Sequence, residues 1–411
     1  MKSPVPETTD YDVVIVGGGM VGSMLAAGLA SRSLLKIAVI EHQEPEPFIA
    51  GTDPDYDIRV SALSIATQRM LENVDAWQGV INRRACPYNE MLVWDGEASG
   101  RTHFKACDIG AAALGHIVEN RVLQLALLDR LRELENVDYL CPASLADYQV
   151  QGAAVTCQLS GEQSSFTTRL LIGADGARST VRELSGIAID RTSYPQHALV
   201  ATVETALSQQ DITWQRFQPT GPEAMLPLCG HRASMVWYHT EETVQQLKAL
   251  SDEAFIEAMH ESFPDELGVV TNVIERSSFP IAKAHAQSYI ADRLALIGDA
   301  AHTVHPLAGQ GVNLGMLDAA ALTDVIIEAD SKAKDIGSRR ILRRYERWRR
   351  GENAIMISLL DGFYHAFKPQ SVAVQSVRST ALNIADRAGP VKRFTMRYAM
   401  GTAGQLPSLA R

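Results

Sequence analysis

The chain has 411 residues, 46% of them hydrophobic, and a formal net charge of −10 at pH 7. This size and composition predict two domains with sizeable cores. No uncharged apolar run reaches the roughly 18 residues of a membrane-spanning helix, and residues 1–7 lack a signal-peptide core, so we expect neither. Five scattered cysteines without a CxxC pair are typical of reduced thiols in the cytoplasm.

The first predicted element is a buried parallel strand over residues 11–16, Tyr-Asp-Val-Val-Ile-Val, because β-branched residues favour such strands. Three glycines follow in the spacing GxGxxG, and an Ala- and Leu-rich helix continues to residue 30. In a nucleotide-binding turn, Gly17 allows the tight bend, Gly19 admits a pyrophosphate and Gly22 permits close helix packing. The phosphate would meet the start of the helix.

A second strand is predicted over 36–40 and ends at Glu41, about 20 residues after the glycines, where an acid that binds a ribose is expected. Strand, glycines, helix, strand and acid occur in the required order. Together they predict a dinucleotide site, but this fingerprint alone does not separate NAD from FAD.

A second motif follows an apolar strand over 170–173 and consists of Asp175-Gly176 and a basic helix start with Arg178 and Arg182. Asp-Gly suits a turn with positive φ. One interpretation is a plain turn with both arginines on a solvated face. The other is a functional turn beside the dinucleotide.

The middle of the chain predicts an antiparallel sheet that carries the substrate face. Its strands are predicted over 199–206, 213–218, 223–228 and 233–239, with helices over 123–134 and 252–263. Four aromatic side chains are candidates for contact with a substrate or for the domain core: Trp214, Phe217, Trp237 and Tyr238. Trp237 and Tyr238 are adjacent, so they cannot both face inward.

The stretch from residue 298 to 315 indicates which cofactor the protein binds. It follows an apolar strand over 293–297 and precedes a helical pattern over 312–327. Asp299 can accept hydrogen bonds from a sugar-like hydroxyl chain, and the helix start offers free N–H groups. Three glycines let the backbone approach a flat ring: Gly309, Gly311 and Gly315. These features predict a flavin and therefore FAD. His302 and His305 lie three apart, but the turn already explains the segment, so we expect no metal.

Charge is uneven, because residues 332–411 hold 16 basic and 5 acidic side chains, net +11, and the remainder carries −21. Helical patterns dominate from residue 341, with interruptions at 368–369 and 389–390. The basic residues include Arg339, Arg340, Arg343, Arg344, Arg347, Arg349 and Arg350. No nucleic-acid module accompanies them, so nucleic acid is not expected as a partner. A solvated helix face and contact with an anionic membrane or a protein assembly both remain open.

The three motifs, GxGxxG, GADGxxSxVR and GDAAHxxHPxAGQGxNLGxxD, occur in the order found in class A flavoprotein aromatic hydroxylases. The last string resembles the form found in the ubiquinone-biosynthesis hydroxylases. Further similar stretches lie at 57–64, 115–124, 214–228 and 234–238, so the resemblance covers almost the whole chain. Residues 40–48 and 214–228 most resemble the branch that hydroxylates the demethoxy quinol intermediate.

The resemblance implies roles for specific residues. For the ADP half of FAD they are Gly17, Gly19, Gly22 and Glu41. For the pyrophosphate or ribityl region they are Arg59 and Arg121, with Gln124 nearby, although both arginines could instead form ordinary surface ion pairs. Asp175 would support the flavin and the use of nicotinamide, and Asp299 would hold the ribityl chain. The segment that faces the flavin ring comprises Pro306, Gly309, Gly311, Val312 and Asn313.

No single catalytic base follows from the sequence. The flavin-ring neighbourhood offers His305, Pro306 and Gln310 as candidates, and His302, Tyr194 and His197 lie in or near the same regions. Many hydroxylases use the hydroxyl group of the substrate itself to supply electrons.

The resemblance implies an α/β fold: a Rossmann-like FAD-binding domain of the glutathione-reductase type, an inserted antiparallel-sheet substrate domain and a helical C-terminal region. The expected boundaries are 1–185 for FAD, with an excursion at 76–99, then 186–279 for substrate, 280–330 for the flavin ring and 331–411 for the helices.

The expected activity is hydroxylation of a polyprenyl phenol or quinol in ubiquinone biosynthesis with NAD(P)H and O2, the substrate being 2-polyprenyl-3-methyl-6-methoxy-1,4-benzoquinol. Alternatives are another ring position in the same pathway, a flavin reductase or halogenase, and a low-turnover FAD-binding scaffold of a biosynthetic complex. The substrate is membrane-borne, so we expect a cytoplasmic protein that can dock peripherally on the inner face of the membrane. The choice between NADH and NADPH, the ring carbon and the oligomeric state stay open.

Overall fold

The computed structural model describes residues 9–48, 56–161, 165–263, 268–305, 309–367 and 389–411, with positions 379, 380, 382, 383 and 386. Pro306, residues 1–7 and the predicted interruption at 368–369 therefore lie outside the described residues.

The strands, in chain order, are β1 (Tyr11–Val16), β2 (Ile37–Ile40), β3 (Val60–Ser64), β4 (Cys86–Tyr88), β5 (Glu90–Asp95), β6 (Arg101–Lys105), β7 (Gly115–Glu119), β8 (Val137–Leu140), β9 (Leu145–Gln151), β10 (Ala154–Leu159), β11 (Ser165–Gly173), β12 (Ile189–Thr205), β13 (Ile212–Gln218), β14 (Gly221–Leu228), β15 (Arg232–His239), β16 (Val270–Ala286), β17 (Ile290–Ala291), β18 (Leu294–Leu296) and β19 (His302–Thr303). The helices are α1 (Met20–Ala30), α2 (Ile65–Glu72), α3 (Trp77–Arg83), α4 (Asn120–Arg132), α5 (Thr180–Leu184), α6 (Glu241–Ala249), α7 (Asp252–Ser262), α8 (Gln310–Ser331), α9 (Arg339–Phe367) and α10 (Gly389–Ala399).

The first sheet has the order β17–β18–β11–β1–β2–β8, and β10 and β9 extend it from β11. Its central strands β1, β2, β8, β11 and β18 are parallel, and the residues of β2 and β18 are entirely buried. Helix α1 packs against α4 and α8, and α8 packs against α9. The carboxyl ends of β1 and β11 therefore open at one edge of this sheet, where ligands of such folds bind.

The second sheet has the order β19–β16–β12–β15–β14–β13–β5–β6 and is antiparallel except between β13 and β5. The predicted strand 199–206 is wrong in extent: β12 runs over 17 residues and pairs along most of its length with β16, for which the sequence pattern predicts no strand. The first half of β12 was not predicted because it contains polar residues such as Asp190, Arg191 and Thr192. The part of the chain that joins this sheet also reaches Lys105, beyond the predicted limit at 99, because β6 is the hairpin partner of β5.

Two other features position the site. A small third sheet has the order β3–β7–β4. Helices α6 and α7 cover one face of the second sheet, where Trp237 and Phe255 are buried together. The opposite face of this sheet carries Tyr238, as strand alternation requires. Within the described ranges, no helix is both long and apolar enough to cross a membrane.

Candidate active site

The turn between β1 and α1 has a backbone that requires glycine. Gly17 has φ of +107°, and a Cβ there would lie 2.4 Å from the carbonyl oxygen of Ala174. A Cβ on Gly22 would lie 1.9 Å from the carbonyl oxygen of Gly17. Gly19 precedes α1, and a Cβ there would meet nothing within 4 Å. The turn thus packs tightly against β11 while the start of α1 stays open to a ligand.

Two predicted side chains hold Gly18 of this turn from either side, one at its N–H and one at its carbonyl oxygen. The carboxylate of Glu41, which is 6% exposed, accepts hydrogen bonds from the backbone N–H of Gly18 at 2.7 Å and of His42 at 2.8 Å. The amide Nε2 of Gln124 donates to the carbonyl oxygen of Gly18 at 3.2 Å. Strand β2 and helix α4 are therefore both bonded to the glycine turn.

A cleft of about 670 Å³ opens beside this turn. The predicted cofactor residues that line it are Gly17, Gly19, Glu41, Arg59, Gln124 and Asp175. They come from separate parts of the first 175 residues, and the fold brings them to one surface.

Asp175 and Arg182 connect the second motif to the third. Asp175 accepts a hydrogen bond from the N–H of Val181 at 3.1 Å, and its Oδ1 has no partner among the described residues. Burial raises the pKa of Asp175, against the lowering effect of its hydrogen bonds. Arg178 is exposed, but the interpretation of Arg182 as solvated is wrong: it is 4% exposed and donates to the carbonyl oxygen of Ala300 at 2.9 Å. No local pattern in the sequence separates these two arginines.

A second, larger cavity of about 1020 Å³ lies between the first and second sheets. Its lining includes Asp299, Gly309, Gln310, Gly311 and Val312 from the third motif. It shares Gly19, Arg59, Ala174 and Gly176 with the cleft. The two spaces therefore form one elongated path, with Arg59 at the junction.

The start of α8 faces this cavity. Gly309 precedes the helix with φ of +62°, and the first residues of the helix line the space. Their free N–H groups and the helix dipole favour negative charge there. The carboxylate of Asp299 borders the same cavity, and burial raises its pKa, whereas the charges of His302 and Arg59 lower it.

Two predicted cofactor residues use their side chains elsewhere and line neither space. Asn313 accepts hydrogen bonds from the N–H of Ser64 at 2.9 Å and the hydroxyl of Thr67 at 2.7 Å, so it fixes the start of α8 against α2. Arg121 binds both carboxylate oxygens of Asp57, at 2.9 and 3.0 Å. These contacts hold the segments that border the site.

A buried ionic network lies behind the third motif and was missed in the sequence. Asp318 is fully buried; it contacts Nε2 of His302 at 2.5 Å and accepts hydrogen bonds from Arg349 at 2.7 Å and Asn353 at 3.0 Å. Burial alone would raise the pKa of Asp318, but His302 and Arg349 hold it at about 2. The interpretation of Arg349 as part of a solvated basic face is therefore wrong, since it is 3% exposed. Arg349 follows Trp348 in a run of arginines, so nothing in its local sequence predicts that it is buried. The only residue of the network that belongs to a recognised motif is Asp318, the last residue of the third motif.

Of the three catalytic candidates, Gln310 borders the cavity and Pro306 lies outside the described residues. His305 is 2% exposed and lies among the rings of Tyr194, Tyr238 and Tyr364, with centroid distances of 4.8, 5.8 and 5.6 Å. Neither ring nitrogen has a hydrogen-bond partner among the described residues. Burial lowers its pKa to about 4, so it is neutral at pH 7.

The path fits FAD in chemistry. Two helix starts supply N–H groups for a pyrophosphate and for an electron-rich ring, Glu41 and Asp299 supply acceptors for sugar hydroxyls, and the buried Oδ1 of Asp175 still lacks a donor. No group of three or more potential metal ligands occurs in the part of the chain that the structure describes.

Comparison with known proteins identifies the family. A family model described as "FAD binding domain" matches residues 118–356. The chain is 39% identical over 390 residues to the 3-demethoxyubiquinol 3-hydroxylase of Escherichia coli, covering 95% of this chain and 98% of that protein. It is 37% identical to the ubiquinone hydroxylase UbiL of Rhodospirillum rubrum, covering 97% and 92%.

Solved structures share the fold. The p-nitrophenol 4-monooxygenase PnpA of Pseudomonas putida superposes with a TM-score of 0.75 at 18% identity, covering 96% of this chain and 99% of that one. PqsL of Pseudomonas aeruginosa in complex with 2-aminobenzoylacetate gives 0.72 at 24% identity, covering 94% and 99%. The predicted fold class, FAD cofactor and enzyme class are confirmed. The chain belongs to the class A FAD-dependent aromatic hydroxylases, which use NAD(P)H and O2, in the branch that contains the ubiquinone-biosynthesis hydroxylases.

Proposed function

We propose that this enzyme hydroxylates the ring of 2-polyprenyl-3-methyl-6-methoxy-1,4-benzoquinol in ubiquinone biosynthesis. The observation that carries the substrate is the near full-length similarity, at 39% identity, to a 3-demethoxyubiquinol 3-hydroxylase. The large cavity supports it, because Met91, Leu226, Val236 and Phe279 line the sheet side and suit an apolar, prenylated ring. Hydroxylation at another ring position of the same pathway is the alternative.

We assign the cofactor residues along the path. Gly17, Gly19, Gly22 and Glu41 would hold the ADP half of FAD, with Gln124 fixing their turn. Arg59 would neutralise the pyrophosphate, Asp175 would accept hydrogen bonds near it and Asp299 would bind the ribityl chain. Arg121 and Asn313 would act by positioning neighbouring segments. The division at 1–185, 186–279, 280–330 and 331–411 stays a proposal, with the excursion extended to residue 105.

When bound and reduced by NAD(P)H, FAD would activate O2 so that one oxygen atom can be transferred to an electron-rich ring. The protein itself would contribute three things: stabilisation of negative charge, exclusion of water and positioning of the substrate. The start of α8 would stabilise negative charge on a ring held beside Gly309 and Gly311, which line the cavity. The apolar side chains of the second sheet exclude water and position the substrate carbon. His305 is neutral and buried and is not among the residues that line the cavity, so it would carry no charge at the ring.

The decisive experiment uses the purified holoenzyme with a short-chain demethoxy quinol and with the corresponding 2-polyprenylphenol. We expect quinol-stimulated NAD(P)H oxidation coupled to a product with one more oxygen. Faster coupled turnover of the phenol would move the assignment to another ring position. Bound FAD without turnover of either would support the scaffold alternative. Deletion of the gene should accumulate the quinol that lacks one ring oxygen, identified by mass spectrometry.

We also propose that the enzyme docks peripherally on an anionic membrane, at its cytoplasmic face, through α9 and α10. Ile355, Leu359 and Phe363 lie four residues apart on α9 and are 52%, 47% and 48% exposed, and Phe394 on α10 is 63% exposed. The exposed cations on the same two helices include Arg343, Arg347, Arg393 and Arg397. Such a combination of apolar and basic side chains is typical of an interfacial helix.

Charge complementarity supports a lipid surface as the occupant. The acids of these helices bond to other side chains or to backbone: Glu346 accepts from Ser288 at 2.6 Å and Asp361 from Lys283 at 2.7 Å. Glu352 accepts from Tyr398 at 3.4 Å. The outer face is therefore basic although the chain as a whole is acidic. A quinone-biosynthesis complex is the competing partner.

The test is sedimentation with vesicles that contain anionic phospholipid, comparing Leu359→Glu with Leu34→Glu as control. Leu34 is 98% exposed and lies outside these helices. Loss of an inserted leucine should weaken binding about tenfold or more, and the control should bind normally. Equal binding of both variants would contradict membrane docking and leave the protein complex as the occupant.

A further inference from the structure

Two of the five cysteines meet where the small third sheet packs against the second sheet. Cys86 begins β4, and Cys229 follows β14 in the turn that leads to β15. Strands β4 and β14 pack against each other, and the thiol of Cys86 is hydrogen-bonded to the sulfur of Cys229. The Cys229 sulfur also lies 3.5 Å from the carbonyl oxygen of Ala85, the residue before Cys86. The fold therefore brings two thiols from distant parts of the chain into direct contact.

The two thiols have different surroundings. Cys86 is fully buried, whereas Cys229 is partly exposed. The hydroxyl of Tyr56 accepts a hydrogen bond from the N–H of Cys229 at 2.8 Å and donates one to its sulfur. The guanidinium of Arg84 lies 3.8 Å from the centre of the Tyr56 ring and donates two hydrogen bonds of 2.8 Å to the carboxylate of Glu119. A positive charge and two hydrogen-bond donors therefore lie beside the Cys229 sulfur.

These surroundings make Cys229 the more reactive of the two thiols. The hydrogen bond from Cys86 lowers the pKa of Cys229; burial opposes this, and Tyr56 and Arg84 lower it further. The same hydrogen bond and burial raise the pKa of Cys86. The thiolate is the form of cysteine that attacks an oxidant, and redox-sensing cysteines combine thiolate character, solvent access and a neighbouring cysteine. Cys229 has all three properties.

We propose that Cys229 and Cys86 are a modification site, at which hydrogen peroxide forms a reversible disulfide. Hydrogen peroxide arises when two electrons from NAD(P)H pass through the flavin to O2 and no oxygen atom is transferred to a ring. The cell can also supply it from other sources. The disulfide would form whichever aromatic ring the enzyme hydroxylates, so it goes beyond the proposed function and does not rest on it.

The chemistry needs no further reactant. The thiolate of Cys229 attacks one oxygen of hydrogen peroxide, so an S–O bond forms, the O–O bond breaks, and the leaving hydroxide takes up the proton that the thiol released and becomes water. The sulfur of Cys86 then attacks the sulfur of this sulfenic acid, so an S–S bond forms and the S–O bond breaks. Hydroxide leaves with the proton of Cys86 as a second water. The two thiols lose two electrons, and hydrogen peroxide gains them.

The disulfide would act on the large cavity through two neighbouring residues. Tyr88 lies two residues after Cys86, Leu226 lies three residues before Cys229, and both line the cavity. A disulfide holds its sulfurs about 2.05 Å apart, closer than two thiols in hydrogen-bonding contact, so β4 and β14 must shift together. A misplacement of about 1 Å can lower a rate about 100-fold. We therefore expect the oxidised enzyme to hydroxylate its substrate at least about tenfold more slowly.

The first test locates the bond by peptide mapping of the FAD-bound enzyme. The protein is treated with hydrogen peroxide, quenched with catalase, alkylated and digested with trypsin. Cys86 lies in tryptic peptide 85–101 and Cys229 in 217–232, so mass spectrometry should find these two peptides linked, and dithiothreitol should separate them. The control is Cys107→Ser, which removes an exposed cysteine and should leave the link intact. Absence of the linked pair in the oxidised wild type would overturn the proposal.

Two variants test the order of the steps. In Cys86→Ala, dimedone should trap a sulfenic acid on Cys229, in peptide 217–232, with no linked pair. Cys229→Ser should show neither product and should keep its turnover after peroxide treatment. Trapping on Cys86 in Cys229→Ser, with none on Cys229 in Cys86→Ala, would overturn the assigned order. The FAD content of each reduced variant reports whether it folds, and the mapping of the wild type does not depend on either variant.

The source of the oxidant and the effect on activity are separate measurements. With NAD(P)H and O2 but no aromatic substrate, a link that catalase prevents would identify the enzyme's own flavin as the source. A link that needs added peroxide would place the source elsewhere in the cell. A linked enzyme with unchanged turnover would overturn the effect on the cavity. If the reduced wild type hydroxylates no prenylated phenol or quinol, the proposed function is wrong, whereas the peptide map still decides the disulfide.

Discussion

The cleft beside β1 and the cavity against the second sheet are built by different means. The cleft is formed by backbone turns and by charged groups bonded to backbone, such as Glu41 on Gly18. The sheet side of the cavity is formed by side chains from β5, β12, β13, β14, β15 and β16. A backbone turn needs residues that are close in sequence, whereas a sheet face collects residues from distant strands. Each turn that contributes to the cofactor site is therefore encoded locally, whereas the substrate face is encoded across the fold.

The strongest test of a backbone-built cleft is Gly22→Ala, for which we expect loss of bound FAD. The new Cβ would lie 1.9 Å from the carbonyl oxygen of Gly17, so the turn must open. The matched control is Gly351→Ala on α9, where a Cβ meets nothing within 4 Å and helix propensity favours alanine by about 1 kcal/mol. The measurement is the ratio of flavin to protein absorbance after purification. A yellow Gly22→Ala protein with normal FAD content would refute the role of this contact.

The next largest effect should come from the ionic network behind α8. Arg349→Met leaves the buried carboxylate of Asp318 without its arginine, which should lower the free energy of unfolding by about 3–5 kcal/mol. Arg347→Met, on an exposed position of the same helix, should change it by less than about 0.5 kcal/mol. Both are measured by denaturant unfolding of the holoenzyme. Adding Asp318→Asn to Arg349→Met should recover part of the loss, and an additive further loss would argue against the pair.

His305 should give the enzyme a pH-dependent stability. Burial lowers its pKa in the folded protein to about 4, below the 6.5 of an unperturbed histidine, so between these values the unfolded chain binds more protons. Stability is therefore retained above pH 6.5 and falls as pH falls toward 4, by about 3 kcal/mol from this group. In His305→Phe the profile should be flatter by that amount, measured as Tm against pH. A wild-type profile in His305→Phe would exclude this cause.

Glu41→Gln should have the smallest effect of these variants, and it tests how much the charge of Glu41 contributes to FAD affinity. The charge-assisted hydrogen bonds to Gly18 and His42 become neutral, which costs about 1 kcal/mol or roughly a sixfold change in FAD affinity. Gln43→Glu, at an exposed position that also borders the cleft, tests whether added charge alone matters. FAD titration of the apoprotein measures both. An unchanged affinity in Glu41→Gln would place the ribose elsewhere.

The sequence revealed the cleft well because each of its motifs is a strand, a turn and a helix start in succession. The burial of Arg349 and Arg182 was not predicted, because a buried arginine and a solvated one look alike in sequence unless the partner is known. The partner of Arg349, Asp318, lies 31 residues away. The first half of β12 was not predicted as a strand for a similar reason. Its residues are mostly polar, and they form a strand only because they pair with β16.

The substrate face was foreseen as a set of strands but not as a surface. Alternation placed Trp237 and Tyr238 on opposite faces, yet no pattern within one strand can show which residues of neighbouring strands lie side by side, as Leu226 and Ser234 do. That pairing depends on the register of the strands, which is fixed by tertiary packing and turn geometry.

The packing of α1 has a consequence for how the polypeptide folds. Gly28 lies against Thr323 of α8 and against the side chain of Leu409, and Arg32 donates to Ser408, 376 residues away. During synthesis, the first βα unit therefore keeps part of its apolar surface exposed until almost four hundred more residues have been synthesised. Such contacts between distant parts of a chain make folding slow, so chaperone supply should limit the yield of this enzyme more than the strength of its finished core.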